Sequence, residues 1–249
     1  DGSNTTGGLN YTFIPYQDIF DDKFNLYNSS FGKKFDTFIL NGKEQLNASS
    51  NFCTRDYITA QLQIGARNSY PVTMNPVKDE YYYRGELAEI IAYPDTLTAS
   101  EHNRVESYLA VKYGITMDNP EYRYTASYGI RWWDGLHSAY KPYSQYITFI
   151  GRDDNSELYQ LKAKSIGNHL LPRSESILHL IHDSNEIAND QYFVCAGATN
   201  DNLTLTTEIN TGDESYSVMK RHWKFNTSNS PSEPFNVEID IPSTLNLNE

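Results

Sequence analysis

Three sets of side chains in this chain have the types and spacing to do chemistry. Gly151-Arg152-Asp153-Asp154-Asn155 gathers hard oxygen donors behind an apolar stretch, the donor class that a calcium ion takes. Asp153 and Asp154 are the ligands such an ion would use. The run lacks the alternating Asp ladder of a dedicated calcium loop. The same residues also suit an Arg152–carboxylate pair with an Asx turn after a strand. His179 and His182 stand three apart, a spacing that grips zinc on a helix. Ile177–Ile181 alternates like a strand, however, which turns the two imidazoles to opposite faces. Glu238-Ile239-Asp240 puts two carboxylates on one strand face, but no further glutamate follows to complete a glycosidase pair. Glu86 and Glu89 would point to opposite faces of their strand, and Glu89 is expected to hydrogen-bond inside the fold or to Arg84. No nucleophile elbow, Walker loop or dinucleotide fingerprint occurs. The sequence reads as a protein that is not an enzyme.

Aromatic rings are the other candidates. The chain has 20 tyrosines and three tryptophans, clustered at Tyr81-Tyr82-Tyr83, Trp132-Trp133 and Tyr140/Tyr143/Tyr146. Sugars stack their apolar faces on such rings when they are exposed. Neighbours on a strand face opposite ways, so each cluster is expected to hold one core ring and one exposed ring. Tyr81 and Tyr82 are candidate glycan contacts on that basis; plain core or interface packing is the alternative.

The elements that must position these groups are mostly strands. Ile58, Ala60, Leu62 and Ile64 alternate with polar residues, and Phe35–Leu40 runs into Asn41-Gly42, a favoured hairpin turn. Leu87–Tyr93 is a short apolar run closed by Pro94, which predicts a strand buried on both faces. Further strands are predicted at Tyr146–Ile150, Ser176–His182, Tyr192–Ala196, Leu203–Ile209, Met219–Asn226 and Phe235–Ile241. Thr98 and Glu101 have the spacing of a capping box, and an apolar stripe follows to a stop at Gly114. One helix over residues 99–113 is therefore predicted, packed on a sheet. Asp118-Asn119-Pro120 marks the best domain boundary.

Composition narrows the function. Twenty basic residues against 32 acidic give a formal charge of −12. Residues 1–117 carry 10 basic and 14 acidic side chains (−4), and residues 118–249 carry 10 and 18 (−8). Neither half has the basic footprint of a nucleic-acid binder, nor one that would dock on anionic lipid. No apolar run approaches the roughly 18 residues of a membrane span. Cys53 and Cys195 are too few and too far apart for a disulfide framework or a zinc site; two separate buried thiols or one long-range bridge remain open.

Tyr83-Arg-Gly-Glu-Leu-Ala-Glu-Ile-Ile-Ala-Tyr93, with Leu97 and the capped helix, resembles the closing strand and terminal helix of a concanavalin A-like (laminin G-like) sandwich. Asn41-Gly42 and Leu62-Gln-Ile-Gly-Ala66 resemble that family's hairpin and following strand. Val105–Met117 is similar to the junction, in large surface proteins of Bacteroidetes, between such a domain and a second β-domain. That second domain opens with motifs matched here by Tyr124-Thr-Ala-Ser127, Trp133-Asp134 and Ile150-Gly-Arg-Asp-Asp154. Leu158, Gln160, Lys164, Ser165 and Arg221-His-Trp223 follow in order. At Cys195–Ala198 the sequence departs from the family pattern.

The resemblance implies an all-β chain. Residues 1–117 would form a concanavalin A-like jelly roll, short of its N-terminal strands and ending in the helix; residues 118–249 would form a second β-sandwich. It implies that Trp133 is structural, which leaves Trp132 as the freer ring for a glycan. It further implies an adhesin-like, non-catalytic segment of an exported protein at the outer cell surface, delivered by the general secretory route and the type IX machinery. Its ligand would be a glycan or cell-surface molecule, and its neighbours the other domains of a larger chain. An ancillary carbohydrate-binding module of a polysaccharide-degrading enzyme, or a purely structural stalk, are the alternatives. Asp95-Thr96-Leu97 fits the pattern that Bacteroidetes O-glycosylate, at Thr96; six Asn-x-Ser/Thr sequons also occur, Asn28 and Asn226 among them.

Overall fold

A computed structural model describes residues 23–31, 35–49, 85–168, 175–205, 209–211, 214–228 and 233–243. The alternating stretch at 58–64, Cys53, Tyr81 and Tyr82 lie outside them. The described residues are mostly strands in several antiparallel sheets, with one α-helix.

The chain first forms an antiparallel meander of β1 (Tyr27–Phe31), β2 (Phe35–Leu40) and β3 (Lys43–Ser49). Asn41 and Gly42 make the β2–β3 turn with φ of 46° and 73°, the left-handed pair that a tight hairpin needs. Asn41 is fully buried. Its side-chain oxygen accepts from the Leu26 amide (2.8 Å), its Nδ2 donates to Asn25 Oδ1 (2.9 Å), and its carbonyl accepts from Asp118 N (2.9 Å). One turn residue thus fastens the meander to the chain beyond the helix.

Leu87–Tyr93 departs from expectation. It belongs to no ladder among the described residues, and Leu87, Ile90, Ile91 and Tyr93 are all well exposed. Continuous apolarity marks a buried strand only when sheets cover both faces, and here the inward anchor is a charge. Glu89 accepts from Lys112 Nζ (2.8 Å), Tyr113 OH (2.9 Å) and Tyr108 OH (3.3 Å). Burial alone would raise its carboxyl; the bonds from Lys112, Tyr113 and Tyr108 outweigh that and hold it below the usual range. Its partners among the described residues lie on the helix and its C-cap; Arg84 lies outside those residues.

Helix α1 spans Ala99–Lys112 as predicted. The Thr98 hydroxyl accepts from Glu101 N, and the Glu101 carboxylate takes the Thr98 N–H at 2.8 Å and its hydroxyl at 2.7 Å, a reciprocal capping box. The chain leaves the helix through Gly114, at φ +63°.

The centre of the fold is a four-stranded sheet, in spatial order β13 (Trp223–Thr227), β10 (Phe193–Ala198), β6 (Gln145–Asp153) and β7 (Leu158–Gln160). β10 is buried along its whole length and β6 at all but Arg152. Odd-numbered side chains of β6 and β10 (Ile147, Phe149, Phe193, Cys195) pack with α1 and with the hairpin of β4 (Arg123–Thr125) and β5 (Arg131–Asp134). Even-numbered ones (Ile150, Val194, Ala196) pack with Leu178 and Leu180. These two come from a sheet ordered β14 (Phe235–Ile239), β9 (Leu178–His182), β8 (Lys162–Ala163), while β11 (Ile209–Thr211) and β12 (Glu214–Tyr216) pair as a separate two-stranded ribbon. Cys195 is a free, fully buried thiol. Ala110, Val111, Ile115 and Met117 share one core with Trp133, Phe149 and Cys195, so the stretch before residue 118 and the sheet after it are joined by continuous packing. No helix of the described residues is long and apolar enough to cross a membrane.

That packing carries a buried acid. Glu106 is 4% exposed, accepts from Tyr122 OH at 3.1 Å, and its Oε1 has no hydrogen-bond partner among the described residues. His102 Nδ1 stands 3.7 Å from Oε2, and its Nε2 meets the Asn28 amide of β1. Burial raises the Glu106 carboxyl from 4.5 to about 7 and lowers the imidazole of His102. The folded state therefore holds the Glu106 proton more tightly than the unfolded chain does. Its contribution to stability is whole below pH 4.5 and lost as pH rises through about 7. His102 acts in the opposite sense below about pH 6.5, and does so in both wild type and variant. Glu106→Gln is expected to stabilise the protein by up to about 3 kcal/mol at pH 8 and to change little at pH 5. Urea titrations of both proteins at the two pH values measure this; an equal effect at both would contradict it.

Candidate functional site

The end of β6 brings three loops together. Gly151 is required because a Cβ there would lie 2.5 Å from the Tyr192 carbonyl oxygen and 2.7 Å from the Phe149 ring. Arg152 donates to Asp154 from both Nε (2.6 Å) and Nη2 (2.9 Å), and from Nη1 to the carbonyls of Ile187 (3.0 Å) and Ala188 (3.2 Å). The Arg152 guanidinium holds the Asp154 carboxyl below its usual range. Asp153 is 1% exposed and faces another way. It accepts from Ser127 N at 2.8 Å and from Ser127 Oγ at 2.5 Å. The two candidate calcium ligands thus serve different partners, and no group of three or more His, Cys, Asp or Glu side chains able to hold a metal occurs among the described residues.

Beside this staple lies an open cleft of about 440 Å³, within the volume range of small-molecule sites. α1 supplies Glu101, Arg104, Val105 and Tyr108. Opposite stand Ser127, held by Asp153, and Asn155 and Ser156 from the 3₁₀ turn Asp154–Ser156. Tyr93 and Leu97 close the third side. Arg104 Nη1 donates to the Ser127 carbonyl at 3.0 Å, tying the helix to the loop. Tyr108 is committed elsewhere: its hydroxyl bonds Glu89 and Lys112, and Lys112 Nζ sits 4.9 Å from its ring centre. Tyr93 is 50% exposed and touches no other ring among the described residues. Hydrogen bonds from Thr98, and then the field of Arg104, hold the Glu101 carboxyl below the usual range, so it is ionised at neutral pH.

The other sequence-derived candidates fall elsewhere. Trp132, expected to be the freer ring, is 2% exposed and packs on Phe149 with ring centres 4.5 Å apart. Trp133 is equally buried, edge-on to Tyr140. Alternation fails at β5 because both its faces are covered, one by the central sheet and the other by the turn carrying Tyr140 and Tyr143. Trp132 therefore offers no surface for stacking a sugar. Asp134 binds Arg123 across the hairpin (3.1 Å) and Arg131 on its own strand (2.7 Å). Thr96 is exposed beside Leu97. The Asn226 amide donates to the Trp132 carbonyl at 2.7 Å. His179 and His182 do face opposite ways: His179 meets Asp240 at 2.7 Å on the outer face, and His182 packs on Tyr192 in the core. Sequence reasoning missed the cleft. Arg104 had no motif, and Glu101 showed only its capping role.

Residues 101–249 match the family model described as Domain of unknown function (DUF8202). The chain belongs to this family. The DUF8202 match begins at Glu101, inside α1, and so includes the helix wall of the cleft as well as Ser127, Asn155 and Ser156. No curated protein and no solved structure matches the chain.

The staple gives the DUF8202 chain an ordered set of sensitivities. Asp153→Ala leaves the half-buried Ser127 amide and hydroxyl without their acceptor and is expected to cost about 2 kcal/mol. Asp154→Ala removes an exposed pair and is expected to cost clearly less. Denaturant midpoints of the two variants check the order. Because protein donors already occupy both carboxylates, melting temperatures in excess calcium and in chelator are expected to coincide. A calcium-dependent rise, abolished by Asp153→Asn, would assign the loop to the ion instead.

Proposed function

We propose that this chain is a non-catalytic, adhesin-like segment of an exported cell-surface protein, a spacer that carries a saccharide-binding cleft. The cleft is the observation behind this reading. It sets a half-exposed aromatic ring, Tyr93, beside a guanidinium, a carboxylate and the small polar residues Ser127, Asn155 and Ser156. Sugars ask for that combination, since their rings stack by the apolar face while their hydroxyls both donate and accept.

The resemblance to Bacteroidetes surface proteins supports export. On the same ground we assign the residues before 118 to a concanavalin A-like sandwich and those after it to a second β-sandwich. Thr96, exposed ahead of the helix, is the proposed O-glycan acceptor, and Tyr81 and Tyr82 remain proposed glycan contacts of the first domain.

Two measurements test this reading. On a glycan array the full chain should retain a defined subset of oligosaccharides, and uniform silence would leave a spacer that binds nothing. Protease treatment of intact cells should degrade the parent protein. Its recovery solely from cytosol would refute export.

A further inference from the structure

We infer that the cleft takes a neutral hexose, gripped by neighbouring hydroxyls between Glu101 and Arg104, without a metal ion. This rests on the saccharide reading above and names its ligand class.

Glu101 and Arg104 lie three apart on α1, so their side chains meet on one face of the helix. Each retains hydrogen-bonding capacity. Both Thr98 bonds to Glu101 fall on Oε2, which leaves Oε1 as an acceptor. Arg104 spends Nη1 on the Ser127 carbonyl, and a guanidinium has five N–H donors. A fixed acceptor beside a fixed donor fork complements two adjacent hydroxyls, one donating to the carboxylate and the other accepting from the guanidinium.

The charges select against ionised sugars. Among the described residues, Glu101 and Arg104 are the charged ones lining the cleft, and they cancel. A uronic or sialic carboxylate would gain Arg104 but face Glu101, on a chain of net charge −12. An amino sugar would meet the reverse. A neutral ring pays neither cost and can lay its apolar face on Tyr93. Asn155, exposed on the opposite wall, adds an amide that both donates and accepts.

Metal independence follows from how the nearby carboxylates are used. Asp153 is closed off by Ser127 and Asp154 by Arg152, so neither is free to bridge an ion to the sugar. The loop instead shapes the wall. Asp153 holds Ser127, Ser127 holds Arg104, and the turn after Asp153 presents Asn155 and Ser156.

The test is binding of the full chain, in chelator, to two panels of oligosaccharides: one ending in neutral hexoses, the other in uronic or sialic acids. Neutral hexoses should bind. Tyr93→Ala and Arg104→Lys should each weaken the Kd by about tenfold, with the circular dichroism spectrum unchanged in both and the melting temperature unchanged in Tyr93→Ala. Arg104→Lys keeps the charge but loses the fork, and Tyr93 is exposed enough that its loss should spare the fold. Binding of acidic sugars alone, loss of binding in chelator, or wild-type affinity in both variants would overturn this inference while leaving a glycan-binding protein. Silence on both panels would overturn the saccharide reading itself.

Discussion

Two adjacent strands that show no face to water set the terms for everything else in this protein. β10 is buried throughout and β6 nearly so, and neither can stand in solvent on either side. One side is covered by α1 and the β4–β5 hairpin, the other by the sheet of β8, β9 and β14. The helix is there because the sheet needs a lid. Its own apolar stripe is modest, and packing rather than propensity explains its place.

Covering a sheet so fully traps polar groups, and the family-like motifs are where these are satisfied. Gln160 Nε2 donates to the carbonyls of Val111 and Phe149, joining helix to sheet. Ser165 and Thr148 share a hydroxyl–hydroxyl bond of 2.7 Å. Met117 N donates to the Tyr124 hydroxyl at 2.8 Å. The Arg221 guanidinium lies over the Tyr146 ring and donates to the Asp201 carbonyl. Residues that look in sequence like a site are mostly the seams of the fold. An unpaired buried polar group is costly, which makes such seams as demanding of residue type as catalysis would be.

What was legible in the sequence follows from how local each signal is. The capping box, the Asn-Gly turn and the alternation of β9 are set by neighbours within a few residues, and the structure reproduces them; the alternation expected of Phe235–Ile241 is not matched by burial, since Val237 and Ile239 stay exposed. The opposed histidines of β9 follow from the pleat alone. Trp132 and Leu87–Tyr93 were misread in opposite senses. One adjacent ring was expected outside, yet both are covered; an apolar run was expected inside, yet its anchor is Glu89. Each outcome depends on which distant element arrives to cover the segment. The cleft was illegible for the same reason. Its walls come from residues 93–108, 127 and 155–156, and no spacing along the chain encodes their meeting.

The β2–β3 turn has a chemical consequence of its own. In an unfolded chain an Asn-Gly pair is prone to ageing: the glycine amide nitrogen attacks the asparagine side-chain carbonyl, ammonia leaves, and the resulting succinimide opens to aspartate or isoaspartate. In the folded protein the Asn41 side chain is locked by Leu26 and Asn25, and no part of the residue reaches water. Folding therefore shelters the bond that the hairpin most depends on. Were the conversion to occur, a carboxylate would stand where Asn25 now receives an N–H, or an extra backbone carbon would shift the carbonyl that Asp118 N holds. The meander would then lose its fastening to the body of the protein, so the hairpin turn doubles as a record of the time each molecule has spent unfolded.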